Sequence, residues 1–122
     1  MNRLSIDTVR RHRKGRGPAV VLLHCLGVDH RIWDHAAAAL STDHTTLRYD
    51  FAGHHETPVP EAPFTVEDLS GQLADILDAE GIATASVIGI SLGGLVAQHF
   101  AATQAQRTDR LVLCDTTPRY TD

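Results

Sequence analysis

The sequence has 122 residues, of which 43% are hydrophobic and 21% charged, with a formal net charge of −4. This size and balance are typical of one globular domain, and no repeat or low-complexity tract divides the chain. The acidic balance argues against a nucleic-acid partner, because the one basic cluster, Val9–Gly17, is typical of a solvated hairpin or loop. No window approaches the roughly 18 apolar residues of a membrane span, and no signal-peptide core is present. We therefore expect a cytoplasmic location and no membrane partner.

The predicted elements alternate between strands and helices. Continuous apolar runs such as Ala19–His24 are typical of strands that are buried on both faces. In chain order we predict strands at Leu4–Arg10, Ala19–His24, Thr45–Asp50, Ala85–Ile90 and Arg110–Asp115, and helices at Arg31–Leu40, Thr65–Gly81 and Leu92–Thr103. This alternation predicts an α/β fold with three α/β/α layers and a mostly parallel sheet.

The helix after Thr65 has the clearest pattern. Thr65 and Asp68 have the spacing of a capping box, and Gly81 marks the end of the helix. Its apolar positions recur at helical spacing at Val66, Leu69, Leu73, Ile76 and Leu77.

The stretch VIGISLGG, Val87–Gly94, carries the main chemical motif. Gly89, Ser91 and Gly93 form a glycine-x-serine-x-glycine pattern between an apolar strand and an apolar helix, which is the context of a nucleophile elbow. The backbone N–H of Leu92 would open the helix and face a developing oxyanion. A glycine-rich turn whose serine only caps the helix is the alternative.

The stretch LLHCLG supplies the second predicted element of the site. It ends the apolar strand at His24 and turns at once, so the Leu26 N–H is the candidate for a second oxyanion donor. His24 is interpreted as a structural residue beneath this loop. Cys25 has no evident base and is interpreted as a small buried residue rather than a thiol nucleophile. Cys25 and Cys114 lack metal-ligand spacing, which predicts two reduced thiols and no metal site.

Together, HCLGVDHRIWD, LRYDFAGHHET, FTVEDL, VIGISLGGLVAQHFA and RLVLCDT resemble the α/β-hydrolase superfamily, and within it the 3-oxoadipate enol-lactonases. The resemblance covers nearly the whole chain from about Ala19. It implies a serine hydrolase of esters or lactones in aromatic-compound catabolism, with no metal or cofactor. It assigns Ser91 as nucleophile and Leu92 and Leu26 as oxyanion donors, with Gly89, Gly93 and Gly94 allowing the elbow.

The sequence departs from the family's pattern in one turn and in its extent. In the turn after the strand Thr45–Asp50, the family's sequences usually read RGHG-S. This chain has Ala52 in place of the arginine and His55 in place of the second glycine. A positive φ at His55 would cost about 1 kcal/mol. The family's acid and histidine usually follow strands seven and eight. We expect residues 1–122 to be a single partial domain, the N-terminal half of the fold, truncated after Arg110–Asp115, which is strand six in the family's numbering.

Local substitutes for the acid and the histidine are few. His99 lies eight residues into the same helix as the serine, about 12 Å along its axis, and cannot be the base. His54 and His55 lie on a loop at the carboxyl edge of the sheet and are alternative bases. Asp115 follows strand six, where some relatives, including haloalkane dehalogenases, place their acid, although an Asp there often only caps the next turn.

Three interpretations follow for the function. The chain is the N-terminal half of an esterase-type hydrolase with little activity by itself, one subunit of a split hydrolase completed by a partner chain, or a non-catalytic binding module derived from the fold. In each case we expect strand six to be a free edge that self-associates or binds a complementing chain.

Overall fold

The computed structural model describes residues 4–118. Its five strands are β1 (His12–Lys14), β2 (Ala19–Leu23), β3 (Thr45–Arg48), β4 (Ala85–Ile90) and β5 (Thr108–Cys114). They form one sheet in the order β1-β3-β2-β4-β5, in which only β1 runs antiparallel to its neighbour. Because parallel strands end at the same edge, the segments after β2, β3, β4 and β5 all meet at the carboxyl edge of the sheet.

Helices cover both faces of this sheet. They are α1 (Asp34–Leu40), preceded by a 3₁₀ turn at His30–Trp33, then α2 (Val66–Ala79) and α3 (Leu92–Thr103), with a second 3₁₀ turn at Ala105–Arg107. The larger core lies between the sheet and the pair α2 and α3, and a smaller core lies beneath α1. The predicted three-layer α/β/α fold with a mostly parallel sheet is confirmed.

Helix α2 begins and ends as its sequence predicts. The Thr65 side chain accepts the Asp68 N–H at 3.1 Å, and the Asp68 carboxylate accepts the Thr65 N–H at 2.9 Å. Gly81 follows the helix with a φ of 69°, a conformation that glycine adopts without a steric penalty. Because neighbouring residues satisfy the free backbone groups at both ends of α2, the sequence alone is enough to predict where this helix begins and ends.

The predicted first strand, Leu4–Arg10, is wrong. This segment makes a turn in which the Val9 N–H bonds the Ile6 carbonyl at 3.1 Å, and Leu4 and Val9 are buried in the larger core. The first strand is instead the polar β1, whose backbone pairs with β3. The apolar spacing of this segment therefore reflects packing into the core from a loop and not strand alternation.

Several arginines of the basic cluster Val9–Gly17 form ion pairs with carboxylates of the same chain. Arg10 pairs with Glu56 at 3.1 Å, and Arg11 and Arg13 both pair with Glu80 at 3.4 Å. These contacts tie β1 to the rest of the domain and leave a less continuous basic surface. Among residues 4–118, no helix has the length and apolar character needed to cross a membrane.

Candidate active site

Ser91 occupies the turn between β4 and α3 in a strained conformation. Its φ of 53° and ψ of −114° are sparsely populated by residues with a Cβ, at a cost of about 1–3 kcal/mol. The surrounding backbone fixes this conformation. The Ser91 N–H donates to the Cys114 carbonyl at 3.1 Å, and the Ser91 carbonyl accepts from the Leu95 N–H at 3.1 Å and from the Thr116 hydroxyl at 2.8 Å. The chain thus holds one strained serine at the carboxyl edge of the sheet.

Three glycines, Gly89, Gly93 and Gly94, leave no space for a side chain in this turn. A Cβ on Gly89 would collide with the Gly93 carbonyl, and a Cβ on Gly93 would collide with the Leu23 carbonyl at the end of β2. A Cβ on Gly94 would lie 2.5 Å from the Thr116 side chain. None of the three glycines could therefore carry a side chain while α3 packs this closely against β2, β4 and the segment after β5.

Replacing Gly93 with alanine should lower the free energy of unfolding by about 3 kcal/mol or more. Alanine is normally favoured over glycine within a helix by about 1 kcal/mol, but here its Cβ would meet two backbone carbonyls, the His24 oxygen at 2.6 Å being the second. Gly81→Ala is the control, because its Cβ meets no atom within 4 Å and should cost about 1 kcal/mol for the left-handed conformation alone. Urea unfolding of the two variants measures the difference. Equal losses would contradict the close approach at Gly93.

The two predicted oxyanion donors lie on neighbouring segments of the carboxyl edge. Leu92 is the first residue of α3, so its N–H has no acceptor within the helix. Leu26 lies in the turn that follows β2, with 69% of its surface exposed. Their roles stay predictions, but both N–H groups belong to segments that the close contact of Gly93 with the end of β2 brings together.

Two neutral imidazoles hold the turn that carries Leu26. The His24 Nδ1 lies 2.8 Å from the Cys25 carbonyl, and its Nε2 accepts the Phe51 N–H at 2.9 Å. The His54 Nδ1 lies 3.0 Å from the Ala52 carbonyl, and its Nε2 accepts the Gly27 N–H at 3.2 Å. In both rings the carbonyl contact assigns the proton to Nδ1, because a carbonyl can only accept.

The structural interpretation of His24 agrees with these contacts. Its ring is fully buried, and burial lowers its pKa, which favours the neutral form that this hydrogen-bond pattern requires. His54 is similarly occupied at both nitrogens, so neither ring has a nitrogen available to act as a base in this arrangement. Cys25 contributes to the same turn through its backbone, because its carbonyl also accepts the Val28 N–H at 3.5 Å.

The structure brings the backbone of Asp115 close to the elbow. Asp115 directly follows Cys114, whose carbonyl accepts the Ser91 N–H, and it has a φ of 43°. Its side chain is exposed, and among the described residues no hydrogen bond joins its carboxylate to Ser91. A catalytic role for Asp115 stays a prediction. His99 lies on α3 with its Nδ1 buried and without a hydrogen-bond partner in residues 4–118.

The turn after β3 holds His55 with a positive φ of 41°. It also contains a residue that the sequence analysis did not single out, the buried Asp50. Asp50 Oδ1 accepts the backbone N–H of His30 at 2.8 Å and lies 2.8 Å from the His30 Nδ1, and Oδ2 accepts the Glu56 N–H at 3.2 Å. Burial raises the pKa of Asp50, but these hydrogen bonds outweigh it and hold the pKa below its usual value.

Comparison with known proteins places this geometry in a family. The alpha/beta hydrolase fold family matches residues 18–121. 3-Oxoadipate enol-lactonase 1 of Acinetobacter baylyi is 40% identical over 90 residues, which are 74% of this chain and 34% of that enzyme. A pimeloyl-[acyl-carrier protein] methyl ester esterase of Chromobacterium violaceum is 37% identical over 106 residues, which are 87% of this chain and 40% of that enzyme.

A solved structure agrees with these two relatives. The enol-lactonase of Burkholderia xenovorans superposes with a TM-score of 0.87 at 36% identity, over 91% of this chain and 44% of that one. The chain therefore spans less than half the length of these relatives. The resemblance stated from the sequence motifs is confirmed, and the chain belongs to the alpha/beta hydrolase fold family.

Proposed function

We propose that this chain carries the nucleophile and the oxyanion hole of a serine hydrolase that acts on carboxylic esters or lactones. The observation that carries the proposal is the strained Ser91, held between β4 and α3 by hydrogen bonds from three directions. Such strain is retained where the surrounding structure demands it, which is common at active sites. The enol-lactonase and methyl ester esterase relatives support this substrate class.

In the proposed mechanism the Ser91 oxygen attacks the carbonyl carbon of the substrate. The tetrahedral intermediate then places its negative charge toward the N–H groups of Leu92 and Leu26, and the partial positive charge at the start of α3 favours that charge. The intermediate collapses to an acyl-enzyme as the bond between the carbonyl carbon and the alcohol or enol oxygen breaks, and that oxygen takes up the proton removed from Ser91. Water then attacks the acyl-enzyme, releases the carboxylic acid and returns a proton to the Ser91 oxygen. An enol-lactone in aromatic-compound catabolism is the proposed substrate, since such a ring opens by this same sequence of steps without a cofactor.

The reaction also requires a base that removes the Ser91 proton. His24 and His54 have both nitrogens occupied, and His99 lies two helical turns beyond the serine. The other alternative base, His55, is exposed, and no hydrogen bond within residues 4–118 joins it to Ser91. We infer that the histidine lies outside residues 4–118, on a further segment or on a partner chain, and that the acid accompanies it unless Asp115 serves. Without that base a serine is a poor nucleophile, so residues 4–118 alone should turn over little substrate.

A chimera tests the proposal. Residues 1–122 are joined to the part of the Acinetobacter baylyi enol-lactonase that this chain does not cover, and hydrolysis of the enol-lactone and of p-nitrophenyl acetate is measured. We expect turnover at least about 100-fold above that of the isolated chain and of the relative's part alone. A folded chimera that binds the lactone without hydrolysing it would contradict the proposal and support the binding-module alternative. Turnover on mixing the separate parts would support the split-hydrolase alternative.

A further inference from the structure

The turn after β2 carries the Leu26 N–H on a stretch with little packing of its own. Leu26 is largely exposed, and the hydrogen bond that closes the turn, from the Val28 N–H to the Cys25 carbonyl, is long at 3.5 Å. Gly27 has a φ of 83° and open space around its Cα, since a Cβ added there would meet nothing within 4 Å. The direction of the Leu26 N–H must therefore be fixed by contacts with other parts of the chain.

Two such contacts hold the peptide units that lead into Leu26. The first unit lies against α3, because a Cβ on Gly93 would lie 2.6 Å from the His24 carbonyl. The second unit contains both the Cys25 carbonyl and the Leu26 N–H, and the His24 Nδ1 donates to that carbonyl at 2.8 Å. A trans peptide unit is planar and points its carbonyl and its N–H in opposite directions. His24 therefore helps to set the direction of the Leu26 N–H.

His54 holds the peptide unit on the other side of Leu26. The Gly27 N–H donates to the His54 Nε2 at 3.2 Å. The backbone that carries this ring is anchored on both sides, because the His54 N–H donates to the Phe51 carbonyl at 3.0 Å and the His54 carbonyl accepts the Thr57 N–H at 2.9 Å. The ring thus connects the fixed turn after β3 to the loosely packed turn after β2.

We propose that His54 is a positioning residue for the oxyanion hole, which it keeps in place by accepting the Gly27 N–H and so fixing the Leu26 N–H beside it. This role rests on the proposed function, in which Leu26 is an oxyanion donor. Such a donor stabilises the transition state only when its direction is set before the charge develops. No hydrogen bond within residues 4–118 engages the Leu26 N–H, so it is free to meet an oxyanion.

Two amide substitutions separate the two contacts of the His54 ring. Glutamine places its amide oxygen near the position of Nε2, so His54→Gln keeps an acceptor for the Gly27 N–H and loses the contact of Nδ1 with the Ala52 carbonyl at 3.0 Å. Asparagine places its amide near Nδ1, so His54→Asn keeps the Ala52 contact and loses the acceptor for Gly27. An amide cannot act as a base in either variant.

The kinetics of the chimera described above test the role. His54→Asn should lower kcat at least about tenfold and change KM less than about twofold, because full loss of an oxyanion donor costs about 10²–10³-fold in kcat. His54→Gln should keep kcat within about threefold of the wild type, since the Gly27 acceptor remains. His44→Asn is the matched control and should change neither constant, because His44 lies outside the site and pairs with Asp43 at 2.7 Å.

Equal losses of kcat in His54→Gln and His54→Asn would overturn the proposal. A loss in both variants as large as that of Ser91→Ala would identify His54 as the base instead. A rise in KM without a fall in kcat in His54→Asn would also contradict a role in the transition state.

Amide hydrogen exchange in the 122-residue chain, followed by NMR, gives a readout that needs no catalysis. The Gly27 amide should exchange at least about tenfold faster in His54→Asn than in His54→Gln or the wild type, because its hydrogen bond is lost. The Leu26 amide is the internal reference and should exchange rapidly in all three. Equal exchange of Gly27 in the two variants would overturn the role of His54. An inactive chimera in which Gly27 exchanges as expected would contradict the proposed function and still support His54 as the residue that holds the turn.

Discussion

Replacing Ser91 with alanine is expected to abolish labelling of the completed hydrolase by a fluorophosphonate probe and to lower kcat by about 10⁴-fold or more. The probe reacts with an activated serine oxygen, and alanine removes that oxygen while keeping a Cβ at the strained φ of 53°. The fold should therefore be unchanged. Mass spectrometry of the labelled peptide, combined with the rate of lactone hydrolysis, measures both effects in the chimera described above.

Three further variants separate chemistry from folding in this experiment. Ser91→Gly also removes the oxygen but relieves the strain, so it should be inactive and more stable by about 1 kcal/mol or more. Ser86→Ala and Cys25→Ala should both retain labelling, because Ser86 is a strand residue of β4 and Cys25 acts through its backbone. Label recovered on Cys25, or persisting in Ser91→Ala, would show that the nucleophile is another residue.

The parts of the fold that the sequence predicts correctly are those whose causes are local. The capping box of α2 forms its hydrogen bonds within four residues, and the glycine-serine-glycine pattern before α3 is recognised within five residues although Cys114 and Thr116 also hold its serine. The first strand was mispredicted because Leu4 and Val9 are apolar residues that pack into the core from a loop. That core forms only in the tertiary fold, so the sequence pattern does not reveal it. A loop that packs inward and a strand that alternates have the same apolar spacing.

The candidate site also contains features that the sequence reveals and features that only the tertiary structure shows. The departure at His55 is visible in the sequence as a single substitution in a turn, and the structure shows that this residue has a positive φ. The hydrogen bonds from Gly27 to His54 and from Thr116 to Ser91 could not be predicted from the sequence, since each joins residues about 25 positions apart that meet only at the carboxyl edge of the sheet. Asp50 was missed for a related reason. A polar residue at the end of a strand is common, and only its three accepted hydrogen bonds identify it as the support of the turn.

The chain is expected to self-associate, or to bind a complementing chain, through β5. In the described sheet β5 pairs only with β4, so its other side presents unpaired N–H and C=O groups. The opposite edge, β1, carries His12, Arg13 and Lys14, and such charges discourage further pairing. The end of β5 has no comparable protection, since Leu111, Val112 and Leu113 are 39%, 45% and 42% exposed. These residues combine an open edge with apolar side chains, which favours association.

Size-exclusion chromatography with light scattering over a range of concentrations measures the association. The wild-type chain should have the mass of a dimer or a larger species, and Val112→Lys should raise the monomer fraction at least about tenfold, because a lysine at the edge opposes pairing. Val59→Lys is the matched control. Val59 is 78% exposed but lies in the loop before α2, so the same substitution there should leave the association unchanged. A monodisperse wild-type monomer with a cooperative melt would contradict the prediction, and would mean that the side chains of β5 are covered by the chain's own residues.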